Sequence, residues 1–356
     1  MMLVDVVLAI IWTGVTAYAI FGGADFGAGI LDLFAGSATR GREMRRQLEH
    51  SIGPVWEANH VWLIFVLVYL WTAFPTAFVS IMTTLYIPVM LAGLGIVMRG
   101  SAFAFRKWAP TLSKERVMGA AFAASSFVTP FFLGAVAGGV ASGRVPPGNA
   151  AGNPWSSWLN PTSVLGGVLA IVACTYLAAV LVARDATRTG RAEVASSFRQ
   201  RALWAGFLSG AVALGGIFVL RIDAPTLYEG LTEPWGLAAI MLSAGAGVAS
   251  LVAIARAHHH MSRVAAVVAT SAIIWGWGIA QYPWLLPETL TVEQGAAGAS
   301  VLISLIIAFV VAGFIAVPAL VWLLSLMERG ILGSDDVTTQ AGSSDALIEE
   351  LSSQQA

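Results

Sequence analysis

Gly22-Gly23-Ala24-Asp25-Phe26-Gly27-Ala28-Gly29 lies inside an apolar run from about residue 4 to residue 30. A helix needs roughly 20 apolar residues to cross a hydrocarbon core of about 30 Å, so this run predicts a membrane helix with a carboxylate in it. Acidic groups are expensive in hydrocarbon and by default mark an ion path, a proton path or a buried partner. Gly23 and Gly27 form a small face beside Asp25 that lets another helix come close. Asp25 is therefore expected between helices, either in a proton path or in a plain structural bond to a helix terminus or an arginine. Asp32, at the exit of the run, reads as interfacial.

The rest of the chain repeats the pattern. It is 57% apolar and 11% charged, with 37 glycines and 13 tryptophans, a balance that excludes an ordinary soluble domain. Nine stretches qualify as spans: about 4–30, 56–74, 78–98, 117–140, 162–182, 203–220, 235–255, 264–284 and 299–327. The expected fold class is an all-α integral membrane protein with nine transmembrane helices over 1–329, followed by a disordered cytoplasmic tail at 330–356 that has little to bury. Lys and Arg collect in cytoplasmic loops, and 17 of the 19 fall on one side of this layout, leaving Arg144 and Arg221 for the other. The amino terminus is thus predicted outside and the carboxyl terminus inside. The first run lacks a basic leader and a small-residue cleavage pattern, so it is expected to persist as a helix. Cys174 reads as a core residue. The loops at 144–160, 221–234 and 285–297 are too short for an inserted domain.

A second stretch carries chemistry: His50-Ser51-Ile52-Gly53-Pro54-Val55-Trp56-Glu57-Ala58-Asn59-His60-Val61-Trp62-Leu63-Ile64. Glu57 follows Pro54 at the start of a span, so one reading is an acidic residue favoured at a helix amino terminus. The functional reading draws on its neighbours: His60 shares its face, and Trp56 and Asn59 flank it. A carboxylate desolvated there could both accept and release a proton. His258, His259 and His260 fall in a short inner loop and read as solvated, as does His50. His60 alone is within a span, with no second axial ligand at matching depth for a haem. Arg99, at the end of the third span, reads as snorkelling or as paired with Asp25 or Glu57. The runs Gly134 to Gly139 and Ser243 to Gly247 are expected to serve close helix packing. Trp155, Trp158, Trp235 and Trp284 are expected as interfacial anchors.

These two stretches resemble the signatures of subunit II of cytochrome bd quinol oxidases, with further likeness at Phe74-Pro75, Tyr86 with Pro88, Arg99 and Gln281-Tyr282-Pro283. The resemblance implies two four-helix bundles (helices 1–4 over about 4–140, helices 5–8 over about 162–284) and a peripheral ninth helix over about 299–327. It implies a haem-free chain in a heterodimer with a subunit I that carries haems b and d and the quinol site, the complex reducing dioxygen to water. It also implies a proton route from the cytoplasm through the Glu57 position, with Asp25 matching the family's first-helix aspartate. Ala24, Glu57, Ala58 and His60 depart from the usual residues: the longer carboxylate keeps proton chemistry, and His60 adds a group able to titrate near neutral pH.

The site residues expected are Glu57, Asp25 and His60 as proton carriers, supported by Trp56, Asn59 and Arg99. No cofactor or metal is expected on this chain, while a structural quinone or lipid and small single-helix accessory subunits are left open. The partners are subunit I, the lipid bilayer and, for the complex, quinol; no nucleic acid is expected. The location is the cell membrane of a prokaryote. Two other classes compete. A secondary transporter would show paired breaks in corresponding helices of two repeats, and a purely structural subunit would use the same carboxylates only to bind its partner.

Overall fold

The computed structural model describes residues 2–36, 41–52, 59–106 and 112–328. Trp56, Glu57 and the tail lie outside the described residues, so the readings made for them stay expectations. Among the described residues the chain is helical apart from one short hairpin. In chain order the elements are α1 (Met2–Leu33), α2 (Arg42–Ile52), α3 (Val61–Ala73), α4 (Pro75–Thr84), α5 (Tyr86–Arg106), α6 (Leu112–Ala141), α7 (Pro161–Arg188), α8 (Ala192–Asp223), α9 (Pro225–Thr232), α10 (Pro234–Ala255) and α11 (His259–Gln281). There follow β1 (Trp284–Leu286), β2 (Leu290–Thr291), α12 (Val292–Gly295) and α13 (Ala299–Glu328).

Among the described residues seven helices are long and apolar enough to cross a membrane, eight if the bent pair α4 and α5 forms one span. The chain is accordingly a multi-pass membrane protein. The shorter α3 ends where Phe74 precedes Pro75, since a residue before proline is pushed out of the helical region. Pro75, Pro161, Pro225 and Pro234 each stand in the first turn of their helices, where the missing N–H costs nothing.

The third expected span, 78–98, is not one straight helix. It breaks at Leu85, and α4 and α5 lie 83° apart. Pro88 explains the break, because it has no N–H to offer the Thr84 carbonyl and its ring crowds that carbonyl. The break is buried: Phe74 and Leu85 are fully enclosed in a cluster with Val7, Ile11, Tyr69, Trp158, Leu286 and Leu302. A second cluster joins Leu31 at the other end of α1 to Leu48, Leu177, Phe198 and Ile254. Helix α1 thus runs between two apolar cores, with Phe26, Ile30 and Cys174 packed along its glycine-rich stretch.

Other expectations are corrected here. Residues of the basic loop after α1 form the helix α2. His259 and His260 open α11 instead of lying in a loop. The 285–297 loop holds the β1–β2 hairpin and a turn capped by Thr291, which accepts from the Gln294 N–H while the Gln294 side chain accepts from Thr291 N–H. Trp158 is buried against Phe132, and its indole N–H donates to the Pro154 carbonyl at 3.0 Å. Trp155 and Trp235 are exposed as anchors should be. Gly134 and Gly138 do carry a close crossing, since a Cβ on either would overlap the backbone of α7. Gly245 and Gly247 do not, for a Cβ there would meet open space. Cys174 is buried as expected.

Candidate functional site

The glycine-rich stretch of α1 sets the site. A Cβ on Gly27 would overlap the Cys174 carbonyl, so its absence lets α7 lie directly against α1. A Cβ on Gly29 would collide with Ser126 and with the Arg99 guanidinium. Glycine at 29 therefore opens the space through which an arginine on α5 reaches α1.

Arg99 uses that space fully. Its Nη2 donates to Asp25 Oδ1 at 2.6 Å and to the Asp25 carbonyl at 2.9 Å, and its Nη1 donates to Ser126 Oγ. The guanidinium carbon stands 4.2 Å from the Phe122 ring centroid and 5.3 Å from that of Phe26. The Asp25 and Arg99 side chains are 1% and 2% exposed. The snorkelling reading of Arg99 is therefore overturned. Arginine heads leave apolar surroundings when they lack a counter-charge, and here Asp25 supplies one in a bilayer-embedded setting where leaving either charge unpaired would be costly.

His60 approaches from the other side. It stands at the amino end of α3, its ring 5.9 Å from Phe26 and 6.2 Å from Tyr18. Tyr18 itself meets Phe26 edge-on at 6.4 Å. Asn59, adjoining His60, is buried. Asp25, Arg99 and His60, named separately in the sequence, thus converge around Phe26, while Glu57 and Trp56 lie outside the described residues.

The convergence leaves polar capacity unused. Among the described residues, Tyr18 Oη, Asp25 Oδ2, His60 Nδ1 and Arg99 Nε are buried without a hydrogen-bond partner. Buried polar groups are normally paired, so four such atoms on side chains of one cluster are informative. The arrangement pairs one carboxylate oxygen with the guanidinium and leaves the other, with an imidazole nitrogen and a phenol, as hydrogen-bonding capacity that water could fill. Ser126, Phe122 and Tyr18 were not singled out from the sequence. The run Ser125, Ser126, Thr129 in an otherwise apolar span was a usable signal for Ser126, whereas a lone tyrosine in an apolar run was not. Among the described residues no group of three or more His, Cys, Asp or Glu side chains converges on one point.

The sequence pattern of the family described as "Cytochrome bd terminal oxidase subunit II" matches residues 3–327. The chain is 33% identical over 155 residues to the cytochrome bd ubiquinol oxidase subunit 2 of Bacillus subtilis, a match that covers 43% of this chain and 44% of that protein. It is 28% identical over 162 residues to the cytochrome bd-I ubiquinol oxidase subunit 2 of Escherichia coli K12, covering 43% of this chain and 41% of the relative. Against these two relatives the chain spans less than half of their length. A longer match, 22% identical over 338 residues, covers 91% of this chain and 95% of a putative cytochrome bd menaquinol oxidase subunit II of Bacillus subtilis. In fold it is similar to a chain of the bd oxidase from Geobacillus thermodenitrificans, with a TM-score of 0.74, 23% identity, and coverage of 92% of this chain and 99% of that one.

Proposed function

Since the chain belongs to the cytochrome bd terminal oxidase subunit II family, we propose that it is the haem-free subunit of a bd-type oxidase, paired with a haem-bearing subunit I and supplying cytoplasmic protons for the reduction of dioxygen to water by quinol. The observation that carries this reading is the cluster around Phe26, where the first signature stretch, with Asp25 bonded to Arg99, meets His60 of the second inside the protein. Two sequence stretches that both hold acid–base groups, with Asp25 in one and His60 in the other 35 residues on, converge there, as a proton route would require.

In this reading nine crossings place the amino terminus outside and the carboxyl terminus in the cytoplasm, in accord with the distribution of Lys and Arg. Protons enter at the segment containing Glu57, pass the His60 side of the cluster and leave toward the partner. Quinol is oxidised on the partner, which carries haems b and d, and the complex sits in the cell membrane of a prokaryote.

A structural role for Asp25 is favoured by one contact: its Oδ1 is committed to Arg99. A carboxylate oxygen occupied by a buried guanidinium serves the packing of the helices, which leaves Glu57 and His60 as the carriers and Asp25 as the counter-charge that holds α1 to α5. The transporter reading is set aside on the family match over residues 3–327.

The test is to purify the complex through a tag on the cytoplasmic carboxyl terminus and record its reduced-minus-oxidised spectrum. Co-purifying b- and d-type bands support the oxidase reading. In that preparation Glu57→Gln is expected to lower oxygen consumption by about 10²-fold, the low end of what a positioned proton carrier contributes. Full turnover in an assembled Glu57→Gln complex would remove Glu57 from the route.

A further inference from the structure

The phenol of Tyr18 is one of the buried polar groups without a partner among the described residues, and the one in the cluster that the reading above leaves without a task. It lies on α1 seven residues before Asp25. Its ring lies over Gly22, where a Cβ would press into the ring at 2.9 Å. Glycine at that position therefore sets where the phenol points. The ring is held edge-on against Phe26 and tilted against His60, at 6.4 Å and 6.2 Å. Its hydroxyl is buried, and among the described residues it bonds to nothing.

Among the described residues three more buried atoms of the cluster lack a partner: His60 Nδ1 and Arg99 Nε, from side chains beside the same Phe26 ring, and Oδ2 of Asp25, which Arg99 holds. The set is chemically complementary. Asp25 Oδ2 accepts only, Arg99 Nε donates only, the phenol does both, and His60 Nδ1 does either according to its tautomer. No two of them bond to each other. Donors and acceptors that are buried together yet unbonded are the usual lining of an internal water site, because a water needs 2–4 polar partners to be held.

We propose that Tyr18 is a water-positioning residue, and that its hydroxyl, the free oxygen of Asp25 and Nδ1 of His60 hold one or two water molecules joining the His60 end of the proton route to the α1–α5–α6 interior. The inference rests on the proton-route reading and adds to it a residue and a ligand. A proton arriving at His60 passes to the bound water, which hands its own proton onward. Tyr18 orients that water by donating or accepting, and neither gains nor loses a net proton.

The test uses the assembled oxidase. Tyr18→Phe removes one oxygen and keeps both ring contacts. It is expected to lower oxygen turnover by about fivefold, the scale of one lost hydrogen bond, and to raise the solvent deuterium isotope effect on turnover, while the haem spectrum and yield of the complex stay unchanged. Gly22→Ala leaves the phenol present but displaces its ring, and is expected to give the same signature. It decides the matter should Tyr18→Phe fail to assemble. Wild-type turnover and isotope effect in either assembled variant overturns the proposal. If Glu57→Gln impairs turnover while Tyr18→Phe does not, the water site is wrong and the proton-route reading stands. If Glu57→Gln is itself silent, that reading fails first.

Discussion

Two ion pairs of almost equal length behave as different objects in this molecule. Arg99 and Asp25 meet at 2.6 Å with side chains 2% and 1% exposed; Arg144 and Asp223 meet at 2.5 Å with side chains 37% and 10% exposed. Asp223 is saturated, since Arg144 donates to both its oxygens and Thr162 donates to Oδ2 through both its N–H and its hydroxyl. It ties the segment after α6 and the start of α7 to the end of α8 and has nothing left to offer. Asp25 is closed off from bulk solvent, yet among the described residues its Oδ2 has no hydrogen-bond partner. The comparison teaches that a salt bridge at the edge of a bundle is a fastener, whereas an incompletely bonded one inside it keeps capacity for chemistry.

That contrast can be broken by substitution, and the largest effect is expected at Arg99. Arg99→Gln strands the Asp25 carboxylate in the protein interior, and removing one member of a buried pair costs about 3–5 kcal/mol. The variant should fail to accumulate as a complex on blue-native gels. Asp25→Asn combined with Arg99→Gln leaves no charge behind and should recover much of the yield; a double variant as poor as the single one would show that the charge pair is not what holds α1 to α5.

A smaller effect is expected at Gly27. Gly27→Val forces α1 away from the Cys174 carbonyl, and overpacking of this kind costs about 1–3 kcal/mol. The thermal midpoint of the detergent-solubilised complex should fall. An unchanged midpoint would mean that the α1–α7 contact is looser than its geometry implies.

Smallest is Asp223→Asn. Partly exposed pairs contribute about 0–1 kcal/mol, and the amide retains hydrogen bonds with Thr162 and Arg144. A shift in midpoint within about 1–2 °C, with unchanged oxygen turnover, is expected for a complex of this size. A large loss of turnover would erase the distinction between the two pairs.

Much of the fold was legible because hydrocarbon imposes a length and an apolarity on whatever crosses it. The runs at 117–140, 162–182, 203–220, 235–255 and 264–284 correspond to α6, α7, α8, α10 and α11. The break at Leu85 was not recognised, although Pro88 was in plain view, because a proline in an apolar run is also compatible with a kinked single span. Trp158 was misplaced for a related reason: tryptophan suits both a lipid interface and a core, and composition does not separate the two.

Of the site, the residue types were legible and their pairing was not. Asp25, His60 and Arg99 stood out as polar groups in apolar surroundings, and the cost of burying charge made them candidates. Whether Arg99 turned outward to the interface or inward to α1 depended on Gly29 and Ser126, residues on two other helices. The small residues make the same point from the other side. Gly134 and Gly245 sit in similar sequence contexts, yet one meets the backbone of α7 and the other meets nothing.

By itself the sequence determined that this chain is built of membrane helices, which stretches form them and which polar side chains are too costly to be incidental. Those are consequences of local transfer free energies, which each segment carries with it. Only the tertiary structure decided which charge meets which, which glycine is a contact and where polar atoms are left unbonded, because those depend on distances between segments far apart in the chain.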